Sequence, residues 1–159
     1  MGRILAEIRY RLANMADAPG ISQMSCTLIE AGLGWSWTPQ RVQGAILAPE
    51  TLVLAATLEE SIAGFGIMDF GDEAAHLSLF AVREDLQRQG IGSGMFEWMK
   101  RSALTAGIAV IRLELRARNL HAQSFYRTLG FEQTGRVPGY YRGREHALRM
   151  ALDLRRKRR

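Results

Sequence analysis

The chain has 159 residues, 47% of them hydrophobic, which suits one domain around one buried core. No run approaches the ~18 consecutive apolar residues of a membrane helix, and the first residues, MGRILAEIRYRLANMAD, show neither the long apolar stretch nor the cleavage-like site of a signal peptide. The net charge of +5 is concentrated in RRKRR (155–159). Without those five residues, 16 of the 21 basic residues stand against 16 acidic ones. A neutral body argues against a nucleic-acid-binding face, so residues 1–154 are expected to form the domain and 155–159 a solvated, disordered tail with at most weak affinity for RNA or acidic surfaces. One cysteine, Cys26, excludes an internal disulfide framework and fits a reducing, cytoplasmic setting.

IRYRLA (8–13) alternates as a strand does. DAPGISQMSCTLIEAG (17–32) reads as a helix closed by Gly32. WTPQRVQGAIL (37–47) reads as a second helix, with Thr38 as cap and Pro39 at its first position. ETLVLAATLEESIAGFGIMDF (50–70) predicts two strands around a tight turn near Glu59–Ser61, and AHLSLFAV (75–82) a fourth strand. SGMFEWMKRSALTAG (93–107) predicts a helix ended by Gly107, its core face formed by Met95, Phe96, Met99, Ala103 and Leu104. VIRLELR (110–116) is a fifth strand, HAQSFYRTLG (121–130) a short helix, and FEQTGRV (131–137) and HALRMALDL (146–154) the last two strands. The order implies an α/β domain with a mixed sheet.

LQRQGIGSGM (86–95) places Gly90, Gly92 and Gly94 between a strand and a helix. Glycine lets the backbone approach a ligand closely. The first amides of a helix lack internal partners and lie at its positive pole, so an anion is a natural occupant. The glycines alone read equally well as a tight turn. A Walker loop is excluded because no Gly-Lys-Ser/Thr follows. A dinucleotide fingerprint is excluded by the Gly-x-Gly-x-Gly spacing and by the strands that come before it.

QRQGIG (87–92) resembles the Gln/Arg-x-x-Gly-x-Gly signature of the GNAT acetyltransferases. NLHAQSFYRTLGF (119–131) resembles that superfamily's Asn-x-x-Ala-x-x-x-Tyr-x-x-x-Gly-Phe block, in the expected order and spacing. The resemblance covers nearly the whole chain. It implies the GNAT fold, an α/β mixed and mostly antiparallel sheet of about seven strands, flanked by about four helices, with its fourth and fifth strands splayed. It implies acetyl-CoA as co-substrate, its pyrophosphate held by the amides of Arg88, Gln89, Gly90, Ile91, Gly92 and Ser93. Its pantetheine arm would run along the strand edge at Phe80, Ala81 and Val82, near Asn119, which on its own reads as a helix cap. No metal is implied, and His76 and His121 form no metal pattern.

Acetyl transfer needs a deprotonated amine, a polarised carbonyl and a protonated leaving thiolate. The resemblance makes Tyr126 the candidate acid. It shares a helical face with Asn119 and Ala122, though alone it would read as a core aromatic. Glu114 is the candidate base, acting directly or through water. It alternates out of VIRLELR between Arg112 and Arg116, which alone would read as a solvated strand face. Its position, together with LELRARN (113–119) and GYYRGREHALRM (139–150), resembles the protein N-terminal acetyltransferases of the ribosomal-protein-alanine (RimI) type. That likeness implies substrate contacts by Tyr140, Tyr141 and, from WSWTPQ (35–40), Trp37. His146 departs from that subgroup's usual Asp, and the hairpin after Tyr141 is short.

The leading acceptor is therefore a protein N-terminal α-amine, with ribosomal proteins among the candidates. A small-molecule amine or a lysine side chain is the alternative. A non-catalytic acyl-CoA-binding or RNA-associated module is a more distant one. A monomer or a homodimer fits equally.

Overall fold

The computed structural model describes residues 7–155, so most of the basic tail lies outside the described residues. β1 (Arg9–Leu12) leads through a 3-10 turn (Met15–Asp17) into α1 (Ala18–Met24), which a π turn (Ser25–Ile29) continues. Then come α2 (Pro39–Leu47), β2 (Thr51–Leu58), β3 (Ser61–Phe70) and β4 (Ala74–Val82). They are followed by α3 (Ile91–Thr105), β5 (Val110–Arg116), α4 (Leu120–Thr128), β6 (Glu132–Tyr141) and β7 (Glu145–Asp153). Local signals start and stop most of these. Thr38 accepts the amide of Arg41 ahead of Pro39, and Glu59 and Glu60 both take the positive φ of a two-residue hairpin turn. Among the described residues no helix is long and apolar enough to cross a membrane.

The seven strands form one sheet in the order β1-β2-β3-β4-β5-β7-β6. Every neighbouring pair is antiparallel except β4 and β5, which run parallel. Their pairing covers only Ala74, Ala75 and His76 against Val110, Ile111 and Arg112. Beyond His76 the two strands part, which opens the splay expected from the sequence.

A bulge in β4 prepares that opening. Ile67 pairs with Leu79 and Met68 with Leu77, so Ser78 is an extra residue. Leu77 accordingly packs in the core with Met95, Phe96 and Phe131, beneath α3 and α4. Leu79 and Ala81 pack in the other core with Ile21, Val42 and Phe65, beneath α1 and α2. Each fully buried aromatic here contributes roughly 1.5–3 kcal/mol from burial alone.

Several details differ from the expectation; the helix expected over 17–32 is α-helical only at Ala18–Met24 and ends as a π turn at Ile29. α3 begins at Ile91 rather than Ser93, because Gly90 takes φ 88 and ends the preceding turn. Leu104 is exposed, since it lies past the edge of the apolar stripe. β6 runs on to Tyr141 because its pairing with β7 continues up to the hairpin.

Candidate active site

On the α3 side, the first amides of the helix are unspent. Gly94 is the first to find a helical acceptor, Gly90 O at 3.0 Å, which leaves the N–H groups of Ile91, Gly92 and Ser93 without one among the described residues. A Cβ on Gly92 would meet Phe125 at 3.1 Å, so glycine keeps this cradle shallow and open. Gly94 has a different reason to be glycine: a Cβ there would collide with the Tyr10 ring. Its place in the anion motif is thus a packing requirement. Arg88, at φ 63, donates from Nη2 to His121 Nδ1 (3.0 Å) and brings positive charge to the rim.

The free edge of β4 faces the same space. Arg83 N donates to Ala63 O (2.7 Å), so by strand alternation the peptide groups of Ala81 face β3, while those of Phe80 and Val82 face the gap. Gln87 Nε2 takes the Val82 carbonyl at 3.0 Å. The expected edge of Phe80, Ala81 and Val82 therefore narrows to Phe80 and Val82. Asn119 caps α4 by accepting the amide of Ala122 (3.1 Å).

Tyr126 is buried edge-on against Phe80, Phe125 and Phe131. Burial, with Tyr141 nearby, pushes its phenol well above the ordinary value. The group therefore stays protonated and able to donate.

Across the sheet, a cavity of about 260 Å³ is lined by Glu30, Trp37, His76, Glu114, Tyr140 and Tyr141, among others. Three of the expected substrate residues and the expected base thus meet in one place, although they come from α2's approach, β5 and β6. Glu114 Oε1 accepts from Tyr140 Oη (3.0 Å) and lies 2.9 Å from His76 Nε2. Its Oε2 has no hydrogen-bond partner among the described residues. Tyr140 and Tyr141 pack edge to face at 4.9 Å. Burial first, then Glu114, raises the Tyr140 phenol, while burial and Tyr140 raise that of Tyr141.

The arginine neighbours of Glu114 are not its partners. Arg116 Nη2 donates to Ile29 O (2.9 Å) and Ala31 O (2.6 Å) at the end of the first helical segment, and Nη1 pairs with Glu145 (3.1 Å). The helix carbonyls and the β7 carboxylate consume that charge. The opposite wall of the cavity hangs on Glu30, a residue the sequence did not single out. Its carboxylate accepts from Ser25 Oγ (3.0 Å), Ser36 N (2.7 Å), Ser36 Oγ and Trp37 N (3.3 Å). Burial pushes this acid up, but the bonds from Ser36, Ser25 and Trp37 outweigh it and hold the group below its usual range. His76 was likewise missed, because one histidine in an alternating strand carries no local signal. His146 Nδ1 accepts Gly139 N (2.9 Å) and so serves the hairpin.

An acetyltransferase (GNAT) domain model matches residues 31–154. The chain belongs to the GNAT acetyltransferase family. The [ribosomal protein bS18]-alanine N-acetyltransferase of Salmonella typhimurium is 34% identical over 106 residues, 65% of this chain and 72% of that protein. Its Escherichia coli counterpart is 36% identical over 101 residues, 62% of this chain and 68% of that protein. The crystal structure of the Escherichia coli ribosomal-protein-S18-alanine N-acetyltransferase superposes with a TM-score of 0.78 at 26% identity, covering 95% of this chain and 96% of that one. Ard1 from Thermoplasma volcanium shares the fold, with a TM-score of 0.84 at 22% identity over 94% of this chain and 99% of that one.

This GNAT chain is an acyltransferase with acetyl-CoA as co-substrate, and its residues fit that molecule. The unspent α3 amides suit a pyrophosphate, and the unpaired β4 edge suits an extended amide-bearing arm. Among the described residues no cluster of His, Cys, Asp or Glu could hold a metal.

Proposed function

We propose that this enzyme acetylates the α-amine at the N-terminus of a protein, with a ribosomal protein beginning in a small residue as the first candidate. The observation that carries the reading is the cavity that brings Glu114, Tyr140, Tyr141 and Trp37 together beside the gap between β4 and β5. The gap joins the two faces of the sheet, with the donor cradle on one and this cavity on the other. The bS18-alanine N-acetyltransferases among its relatives point to the same class of acceptor.

Acetyl-CoA supplies the activated thioester. Glu114 takes the proton of the incoming ammonium at Oε2, while Tyr140 and His76 hold Oε1. The freed amine attacks the carbonyl carbon, forming C–N as C–S breaks. The peptide groups of Phe80 and Val82 orient the arm that carries the thioester. Tyr126, kept protonated by its burial, gives its proton to the departing thiolate and recovers one from the acetylated nitrogen, which sheds its second proton to become the amide. An α-amine suits this modest base, since its pKa of about 8 leaves far more of it neutral at pH 7 than lysine's ~10.4.

The test is coenzyme A release from acetyl-CoA with short peptides in two sets, one with free α-amines and one with blocked α-amines and free lysines. Release from the first set alone is expected. Equal release would assign lysine side chains. Release from neither, with acetyl-CoA bound, would assign a small-molecule amine.

A further inference from the structure

The sheet face that carries Glu114 is covered on one half only. The core on that face, with Ile21, Val42, Val53, Phe65 and Leu79, is drawn from β2, β3, β4 and the helices above them. Among the described residues it takes nothing from β5, β6 or β7. On this bare half β5 presents Arg112, Glu114 and Arg116, and β7 sets Arg149 directly opposite Glu114. Small residues flank two of these arginines: Ala151 stands opposite Arg112, and Gly135 of β6 opposite Arg149. A second cavity of about 590 Å³ forms there, lined by Asp69, His76, Arg112, Glu114, Thr134 and Arg149 among others. It shares His76 and Glu114 with the acceptor cavity, so the two meet at the proposed base.

Arg112 and Arg149 are both exposed, and neither makes a hydrogen bond or ion pair among the described residues. They occupy diagonal positions on neighbouring strands, where long side chains reach one another and like charges repel. The two carboxylates of the cavity do not balance them. Asp69 is held by Ser78 Oγ (2.6 Å) and Thr51 Oγ1 (2.9 Å). Glu114 gives Oε1 to Tyr140 and His76 and its charge to the incoming ammonium. With an acceptor bound, two guanidiniums therefore face one remaining carboxylate, and the surplus positive charge favours an anion. Arg149 also lies on the way out. Burial and Glu114 raise the Tyr140 phenol while the charge of Arg149 works against them, so this guanidinium acts on the tyrosine past which the peptide leaves. On the ladder Arg149 stands about 5 Å and Arg112 about 7 Å from Glu114. An extended peptide advances about 3.5 Å per residue, so its second and third residues cover the same distances.

We propose that Arg112 and Arg149 form an anion subsite that selects acceptors carrying Asp or Glu at the second or third residue. The inference rests on the α-amine reading of the acceptor cavity. The first residue occupies the smaller cavity beside Trp37 and Tyr141, and the acidic side chain turns onto the bare half of the sheet. There its carboxylate accepts N–H bonds from both guanidiniums, whose planar forks suit it. A basic side chain at the same place meets two like charges, so the subsite rejects as well as selects. Neither arginine touches the reacting atoms. Their effect is on the choice between peptides, not on the chemical step.

The test is coenzyme A release from acetyl-CoA with peptides of one length that begin in alanine and carry Glu-Glu, Gln-Gln or Arg-Arg at the next two positions. A second copy of each has its α-amine blocked and one free lysine. In the unsubstituted protein, kcat/KM for the Glu-Glu peptide is expected about fivefold above that for Gln-Gln, with Arg-Arg lower still. Salt at about 0.5 M should flatten the series. Arg112→Gln combined with Arg149→Gln should bring the Glu-Glu to Gln-Gln ratio close to one, and Arg112→Glu with Arg149→Glu should turn the series in favour of Arg-Arg. Equal rates for Glu-Glu and Gln-Gln in the unsubstituted protein would overturn the subsite and leave the α-amine reading standing, as would a preference that survives in the double Gln variant. Release from the blocked copies alone, or from no peptide, would overturn the α-amine reading and the subsite with it.

Discussion

The two sides of the splayed sheet are built by different means. The donor side, from the end of β4 through α3 to α4, is mostly backbone: unspent amides at Ile91, Gly92 and Ser93, a strand edge at Phe80 and Val82, and a cap at Asn119. Its geometry follows from short-range rules, since a left-handed Gly90 and a helix start dictate it. The acceptor side is built from side chains that meet across the whole chain. Arg116 reaches the carbonyls of Ile29 and Ala31, and Glu114 meets His76 from β4 and Tyr140 from β6. The donor side can therefore stay constant while the acceptor side diverges, because a single side chain there changes the pocket without disturbing the helix that holds the cofactor.

The comparison breaks most sharply at the two proposed proton-handling groups. Glu114→Gln, which keeps an acceptor for Tyr140, is expected to lower kcat by about 10²–10⁴-fold while acetyl-CoA binding holds. Steady-state kinetics beside calorimetric titration with acetyl-CoA would check it. Tyr126→Phe should cost roughly 10²-fold in kcat with near-normal cofactor affinity. A large loss of affinity instead would make Tyr126 a packing residue between Phe80 and Phe131.

The next substitutions should act on one side only. Gly92→Ala pushes a methyl at Phe125 and into the cradle, so KM for acetyl-CoA should rise about tenfold, near 1.4 kcal/mol, with the KM of the peptide unchanged. Glu30→Gln should do the reverse, raising the KM of the peptide while leaving acetyl-CoA alone. It should also cost about 1–3 kcal/mol of stability, measured by thermal unfolding, through imperfectly satisfied donors at Ser25, Ser36 and Trp37.

The smallest effect is one of pH. Glu30 and Asp17 both titrate below their usual range when folded, Asp17 chiefly through its hydrogen bonds from Arg11. A depressed folded value stabilises the native state above the unfolded value, about 4 for these acids, and the gain is lost as pH falls through the folded value. The melting temperature should fall on acidification below about pH 4–5, and more gently in Asp17→Asn.

Almost every element was legible in the sequence, because caps, glycines and alternation act locally. Thr38 and Pro39 start α2, Gly107 and Gly130 take positive φ after α3 and α4, and Glu59 and Glu60 turn the β2–β3 hairpin. The donor cradle was legible only through the family likeness of QRQGIG, since its glycines alone read equally well as a tight turn. The spatial meeting of Trp37, Glu114, Tyr140 and Tyr141 was anticipated through family likeness, and the structure places them in one cavity. Glu30 and His76 were not legible. A buried glutamate held by a loop, or one histidine in an alternating strand, has no periodicity to mark it. Gly94 misled in the other direction, since a glycine inside a motif turned out to make room for Tyr10.

The central claim is that donor and acceptor meet through the gap between β4 and β5. It is tested most directly by a crystal structure of the chain with coenzyme A joined through an acetyl bridge to the α-amine of a short peptide. The account predicts the pyrophosphate on the amides of Ile91, Gly92 and Ser93 and the bridge between the Val82 edge and Glu114. It predicts the sulfur beside Tyr126 and the peptide leaving past Tyr140. A peptide whose first residue lies away from Glu114, or an arm that runs outside the gap, would contradict it.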